Sequence, residues 1–247
     1  MVEDFYEQHS TDVPELDDRL RLVARLVADA RPRRVLDAAC GRGALLVELR
    51  RRLPDSVLTG ADISGAAVDA TKAVGIDAVR ADLAARLPFA DESIDCAVFG
   101  EVIEHLIDPD FALQELSRIL KENGTLIVTT PNLASWFNRA FLLFGIQPIF
   151  TETSLHVNLG RRFAALGQWR PTQGHLKIFT EQALRQMLEC NGFVIDRFLG
   201  APFAEPNRLS GLDKVLARFP ALASNFVVAA RNRRTLRIDY PRRQGWH

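Results

Sequence analysis

The sequence predicts an α/β domain: a mostly parallel sheet with helices on both faces and a helix-rich insertion late in the chain. Three observations lead to it. Stretches of strand and helix periodicity alternate from residue 34 onward, the pattern that builds a parallel sheet through crossover helices. A short apolar run, Val35-Leu36, closes on an acid and a Gly-x-Gly turn (Asp37-Ala38-Ala39-Cys40-Gly41-Arg42-Gly43) directly ahead of a helix-forming stretch. The alternation then breaks over residues 131–178, where aromatic side chains concentrate.

Each element follows from local pattern. Residues 1–30 read as a helical lead-in, since Leu16, Leu20, Val23, Leu26 and Val27 recur near helical spacing and Pro32 ends the run. A strand over 34–38 is followed by a helix over 43–53, a strand over 57–61, a helix over 65–74 and a short strand over 77–80. A strand over 93–99, a helix over 111–120 and a strand over 124–130 come next, the last entered through the Asn123-Gly124 turn. The segment 131–178 holds Trp136, Phe137, Phe141, Phe144, Phe150, His156, Phe163, Trp169 and His175. An aromatic insertion at the carboxyl edge of a sheet suggests a substrate cap, because ligands enter there. A dimer interface or a packed subdomain are the alternatives, and one surface can serve as cap and homodimer contact together. A helix over 181–191, a strand over 192–198, a helical stretch over 209–219 and a strand over 226–231 complete the chain. Without internal repeat, low-complexity tract or linker, residues 1–247 read as one domain.

Bulk properties bound the partners. The 247 residues are 47% apolar and 25% charged, ordinary for a globular domain with a substantial core. Thirty-one basic and thirty-one acidic residues cancel, so nothing at whole-chain level draws the protein to nucleic acid or to an anionic membrane. Arg231, Arg233, Arg234, Arg237, Arg242 and Arg243 cluster near the C-terminus and read as a solvated basic tail. Cys40, Cys96 and Cys190 are odd in number and widely spaced, matching neither a disulfide framework nor a metal motif, which favours a reducing compartment. With no apolar signal core at Met1-Val2-Glu3-Asp4 and no run long enough to span a bilayer, a cytoplasmic protein is expected. The run Phe141-Leu142-Leu143-Phe144-Gly145-Ile146 leaves peripheral contact with a membrane surface open.

The glycine turn carries the chemistry. Gly41 and Gly43 let backbone approach a ligand closely, and the helix that follows offers unpaired N–H groups to its polar end. Asp62, 21 residues after Gly41 at the tip of the next strand, can accept hydrogen bonds from both hydroxyls of a ribose. An adenosine-type cofactor is therefore expected. A dinucleotide fingerprint carries a third glycine where this chain has Leu46, and its pyrophosphate would be repelled by Asp37. The ammonium of a methionine moiety would be attracted instead, which points to S-adenosyl-L-methionine.

The chain resembles the class I S-adenosylmethionine-dependent methyltransferases of the broad group that includes the ubiquinone-pathway O-methyltransferases. Four blocks carry the resemblance in the expected order: VLDAACGRG at 35–43, TGADIS at 59–64, ADLAARLPFADESIDCAVFGEVIEHL at 81–106 and ILKENGTLIVTTPN at 119–132. The resemblance implies a Rossmann-like, seven-stranded sheet whose last strands form an antiparallel end. It implies that Asp37, Ala39, Gly41 and Gly43 meet the methionine end of the cofactor, Asp62 the ribose and Ile63 the adenine face. It places Asp82 at the exocyclic amine, the Leu83 N–H at the ring, and Gly100 with Glu101 near the methionine end. Tyr6, in the Phe5-Tyr6 pair, matches an aromatic lid over the cofactor in many relatives. Each of the acids can instead be a turn or capping residue.

For the acceptor, Glu104, His105, Trp136, His156 and His175 are the expected contacts. Methyl transfer is an in-line displacement at a sulfonium carbon with a good leaving group, so positioning dominates. A hydroxyl nucleophile also gains from a base, and histidine suits neutral pH. His105 and His175 are the candidates, with His156 a third; Glu104 as a capping acid and His105 as a core histidine are the structural alternatives. No His-x-x-x-His or tight acid pair supports a metal, and none is expected. The stretch Gly100-Glu101-Val102-Ile103-Glu104-His105 lacks the Asn/Asp-Pro-Pro-aromatic sequence of enzymes that methylate base amines, which argues against nucleic acid. The expected activity is methylation of a small-molecule acceptor, at a hydroxyl of a sugar, natural product or quinone precursor, releasing S-adenosyl-L-homocysteine. A catalytically inactive cofactor-binding sensor or partner subunit, and an enzyme acting on a membrane-borne lipid, are the alternatives.

Overall fold

The computed structural model describes residues 16–161, 167–203 and 209–234. Seven strands form one sheet: β1 (Arg34–Asp37), β2 (Val57–Asp62), β3 (Asp77–Arg80), β4 (Ile94–Gly100), β5 (Leu120–Pro131), β6 (Phe193–Ala201) and β7 (Asn225–Asn232). Their order is β3-β2-β1-β4-β5-β7-β6, with β7 antiparallel to both of its neighbours and the other pairs parallel. Chain order reverses between β1 and β4, which opens a crevice beyond their carboxyl ends.

Strand alternation sorts the helices onto two faces. Leu36, Ala97, Phe99, Leu126 and Val128 point to one side and pack with α4 (Pro109–Ile119) and α6 (Glu181–Cys190). Val35, Cys96, Val98 and Ile127 point to the other and pack with α1 (Asp18–Ala30) and α2 (Ala44–Arg52). β1, β4 and β5 are buried on both faces, as parallel central strands are. α3 (Gly65–Ala73) covers β2 and β3, its first turn capped by Ser64 Oγ on the Ala67 N–H.

The predicted order of elements is the observed one, with shifted ends. Helix α4 begins at Pro109, ahead of the expected 111, because Asp108 caps the Phe111 N–H and Pro109 is pre-set for the first turn. Strand β5 runs from Leu120 through the expected Asn123-Gly124 turn, with a shift in pairing against β4 between Ile94 and Cys96. The stretch expected as one helix over 209–219 is α7 (Ser210–Leu216) and a separate 3₁₀ turn, Pro220–Leu222.

The insertion is less helical than expected. Among the described residues α5 (Trp136–Leu143) is its helix, and Gly145, Pro148, Gly160, Pro171 and Gly174 break the rest. Side-chain amides satisfy the backbone there: Asn138 accepts from Ile149 N–H and donates to the carbonyls of Asn132 and Ile149. Asn158 does the same service for Arg170 and Pro171. Asp213, on α7, pins the insertion to the sheet, accepting from Trp136 Nε1 at 2.9 Å, Ser224 Oγ at 2.6 Å and Phe203 N at 2.5 Å. Since Asp213 is buried, Asp213→Ala strands three donors; a loss of about 3 kcal/mol and a Tm lower by roughly 5–10 °C are expected in thermal unfolding.

Candidate active site

The acids and glycines singled out in the sequence converge at the carboxyl ends of β1, β2 and β4. β1 ends on Asp37, which is 4% exposed. Burial pushes its carboxyl up to about 7, opposed by the Ala39 N–H that it accepts and raised further by the charge of Asp62. Gly41 and Gly43 both hold φ in the left-handed region, at 50° and 80°. A Cβ on Gly43 would lie 3.1 Å from Thr71 Oγ1, so close packing of loop on α3 adds to the conformational demand. Gly43 opens α2 with no side-chain cap, leaving the first turn's N–H groups facing the crevice.

Asp62 closes this loop. Its Oδ2 accepts from Gly41 N and its Oδ1 from Ser64 N, each at 2.9 Å. Each carboxylate oxygen keeps a second lone pair for a ligand hydroxyl. Ile63 is half-buried beside it. Asp82 is exposed and turns on itself to accept from Ala84 N, while Leu83 packs into the core. Cys40 is buried under the loop and its thiol is pushed up to about 12 by burial, which removes it as a nucleophile near neutral pH. Phe5 and Tyr6 lie outside the described residues, as do Phe163 and, in the basic tail, Arg237, Arg242 and Arg243.

β4 runs through Gly100 into Glu101, which sits at φ 54°, a strained setting for a residue with a side chain. Thr129 holds it from β5: the Thr129 carbonyl accepts from Glu101 N at 2.9 Å and Thr129 Oγ1 donates to Glu101 Oε1 at 2.8 Å. Arg19, on α1, donates to Thr129 Oγ1 at 2.9 Å and stands 3.5 Å from Glu101 Oε1. Nothing in the lead-in's periodicity marks Arg19 as a site residue; it enters because α1 packs along the end of β5.

The next turn, Ile103–His105, meets the far end of the insertion. The Glu104 carbonyl accepts from both Leu176 N and Lys177 N, so residues 174–177 are registered on this turn by backbone. The rings of His105 and His175 come together with centroids 4.8 Å apart. His105 Nδ1 lies 3.1 Å from the Gly174 carbonyl and His175 Nδ1 3.1 Å from the Phe150 carbonyl. A carbonyl only accepts, so both Nδ1 atoms carry the proton and both Nε2 atoms present a lone pair. Burial, and for His105 also the adjoining His175, holds both imidazoles below the ordinary histidine range, and they are neutral at pH 7.

Glu104 is fully buried. Thr130 Oγ1 donates to its Oε2 at 2.9 Å, while its Oε1 has no hydrogen-bond partner and lies 4.0 Å from His105 Nε2. Burial and the nearby Glu101 push its carboxyl well above the usual range. Glu104, His105 and His175 each offer a ligand atom within 4.8 Å of the others, the donor set that a divalent cation accepts. The sequence offers Glu104 with His105 as two such donors, and the fold brings His175 to them as the distant third.

A cavity of about 370 Å³ opens beside the pair, with His175 on its wall together with Arg19, Glu101, Phe150, Glu152 and Arg161. Glu152 fixes that wall, its carboxylate accepting from the N–H groups of Gln173, Gly174 and His175 at 2.7–2.9 Å. Of the five expected acceptor contacts only His175 is on this wall. Glu104 is fully buried and His105 lies against His175, the Trp136 indole is committed to Asp213, and His156 is exposed with its own N–H on Ser154 Oγ. Aromatic density located the insertion but could not say which way each ring turns.

Residues 13–197 match the family model described as a methyltransferase domain. The chain is 31% identical over 135 residues to a ubiquinone/menaquinone biosynthesis C-methyltransferase of Desulfotalea psychrophila, covering 51% of this chain and 54% of that one. It is 32% identical over 120 residues to a ubiquinone biosynthesis O-methyltransferase of Alkalilimnicola ehrlichii, covering 46% and 48%. The chain thus spans about half the length of these curated relatives. Its fold is shared with the Burkholderia thailandensis 1,6-didemethyltoxoflavin N1-methyltransferase, solved with its acceptor and S-adenosylhomocysteine, at TM-score 0.57, 15% identity and coverage of 94% and 85%. With the sheet order, the glycine turn and a family match over most of the chain in agreement, this protein belongs to the methyltransferase domain family.

Proposed function

We propose that the protein transfers a methyl group from S-adenosyl-L-methionine to a hydroxyl of a small-molecule acceptor, releasing S-adenosyl-L-homocysteine. The observation that carries the reading is the juxtaposition of buried Asp37, the Gly41–Gly43 turn and Asp62 at the β1/β4 switch point. Asp37 and Glu101 would face the cofactor's ammonium, the α2 amides its carboxylate, Asp62 its ribose, and Ile63 with Asp82 and Leu83 its adenine. The acceptor would lie in the cavity, its hydroxyl toward His175 Nε2, with His105 behind. A neutral His175 takes the hydroxyl proton as the oxygen attacks the methyl carbon and the C–S bond breaks. Relatives named as C-, O- and N-methyltransferases support methyl transfer in common; the two histidines support a hydroxyl nucleophile.

Titration calorimetry with S-adenosylmethionine and with NADH tests the cofactor. Binding of the first alone is expected, and Asp62→Ala should weaken it roughly 10–100-fold, the effect of removing charged hydrogen bonds worth about 1.5–3 kcal/mol. Unchanged affinity would mean that the ribose does not sit on Asp62.

The Glu104, His105 and His175 donors fit a divalent cation, which when bound would polarise the acceptor oxygen as a Lewis acid. Proton transfer to His175 needs no ion, so turnover should survive exhaustive chelation. Loss of turnover, restored by a divalent ion, would assign the cluster to a metal instead.

A second reading, a lipid acceptor taken at a membrane surface, draws on the exposed Leu142, Leu143 and Phe144 at the end of α5. No described helix is long and apolar enough to cross a membrane. Co-sedimentation with lipid vesicles, lost on Phe144→Ser, would favour it.

A further inference from the structure

The loop that carries His175 is held between two acceptors. Gln173 N donates to Glu152 Oε1 at 2.7 Å, and Gly174 N and His175 N donate to Glu152 Oε2 at 2.8 and 2.9 Å. Leu176 N and Lys177 N share the Glu104 carbonyl instead. Every N–H from 173 to 177 is thereby bound, and those of 173–175 depend on one side chain. Gly174, at φ 83°, lets successive N–H groups curl into the kind of concavity that holds an anion. A carboxylate accepts such bonds more strongly than a carbonyl does, so Glu152 is the stronger of the two anchors. The same contacts reach both imidazoles. His175 Nδ1 meets the Phe150 carbonyl, two positions before Glu152, so 150–152 holds His175 by ring and by backbone. The peptide between Gly174 and His175 extends the constraint to His105: its N–H is on Glu152 and its carbonyl lies 3.1 Å from His105 Nδ1. Thr172 Oγ1, donating to the Leu155 carbonyl at 2.8 Å, ties the two segments together just ahead of the loop.

We propose that Glu152 is a positioning residue for methyl transfer: by binding the 173–175 backbone it keeps His175 Nδ1 protonated on the Phe150 carbonyl, which leaves the Nε2 lone pair for the acceptor's hydroxyl. The assignment rests on the reading of His175 as the base. Without the carboxylate, three N–H groups lose their acceptor and the loop moves to find others. The ring then leaves the Phe150 carbonyl, and a neutral imidazole with no fixed partner shares its proton between its two nitrogens. The fraction protonated at Nε2 has no lone pair there and cannot take a proton from the acceptor.

The test is proton–nitrogen NMR of the protein labelled with nitrogen-15 histidine and saturated with S-adenosylhomocysteine, at pH 8, where both imidazoles are neutral. Loss of a signal in His175→Gln assigns His175. The unaltered protein should show His175 as the Nδ1–H tautomer, and Glu152→Ala should lower that form to about half or less, with S-adenosylhomocysteine affinity unchanged. Glu152→Gln, of equal length and with one accepting oxygen, should fall between. An unmoved tautomer in Glu152→Ala, the result if Glu152 merely touches the acceptor, would overturn the proposal. So would loss of tautomer and cofactor affinity together, which marks a general structural role. Amide exchange on the unaltered protein is independent of whether any variant folds. The Gly174 and His175 N–H groups should exchange at least roughly tenfold more slowly than in an unstructured chain, and exchange at the unstructured rate would overturn the proposal. An Nε2–H tautomer in the unaltered protein would overturn the reading of His175 as base, a separate result.

Discussion

S-Adenosylmethionine is expected to bind about tenfold more weakly for each pH unit below 7, and Asp37→Asn is expected to abolish this dependence. The cofactor's ammonium needs an ionised partner, and burial pushes the Asp37 carboxyl up to about 7. Below that value most of the protein carries a neutral acid there and must release its proton before the ammonium can dock. The same shift acts on stability with a definite sign. The folded pKa lies above the unfolded value of 3.8, so the folded state holds the extra proton between the two. With respect to this group, stability of the cofactor-free protein is therefore intact below 3.8, falls as pH rises from there through about 7, and then levels off, the loss reaching about 4 kcal/mol. Asp37→Asn should be more stable than its parent at pH 8 while binding the cofactor less well. Calorimetry from pH 5.5 to 8 with thermal unfolding at both ends checks both; a flat affinity profile would remove Asp37 from the ammonium site.

Replacing His175 by alanine should lower kcat roughly 10²–10⁴-fold without changing cofactor affinity, the range expected on losing a general base. His105→Ala should lose less, because His105 lies behind His175 and shapes it through ring contact instead of lining the cavity. For the parent, the acid limb of the rate profile should fall below the ordinary histidine value of 6.5, since burial holds both imidazoles down. In stability the histidines act opposite to Asp37. Their folded pKa values lie below 6.5, so the unfolded chain binds the extra protons, and stability is lost as pH falls below that point. Single-turnover rates across pH separate these effects from binding; a His175→Ala variant with parental kcat would leave His175 no role as base.

The fold was legible because its elements are locally encoded. The strand Arg34–Asp37, the Gly41 and Gly43 positions and the acid at 62 are all set by neighbours within a strand or turn, and the structure places them at one sheet edge. The cofactor half of the candidate site was legible for the same reason. The other half depends on contacts between distant parts of the chain. Arg19 meets Thr129 across 110 positions, and Glu152 meets His175 across 23. Arg161 reaches the cavity through an irregular path that no periodicity describes. Trp136 and His156 show the converse, since residue type suggested contact with the acceptor while helix phase and loop course turned them elsewhere.

The two imidazoles are aimed by the carbonyls of Gly174 and Phe150, and the turn beneath them is fastened through the carbonyl of Glu104. Every amino acid brings a carbonyl, so point substitution can reshape the cavity without deleting the groups that orient the histidines. On the proposed reading, a lineage carrying this arrangement can exchange cavity-lining side chains such as Phe150 or Phe203 while His175 Nε2 keeps its place. Inheritance of the backbone path would then keep the reaction, and divergence of the cavity lining would change the acceptor.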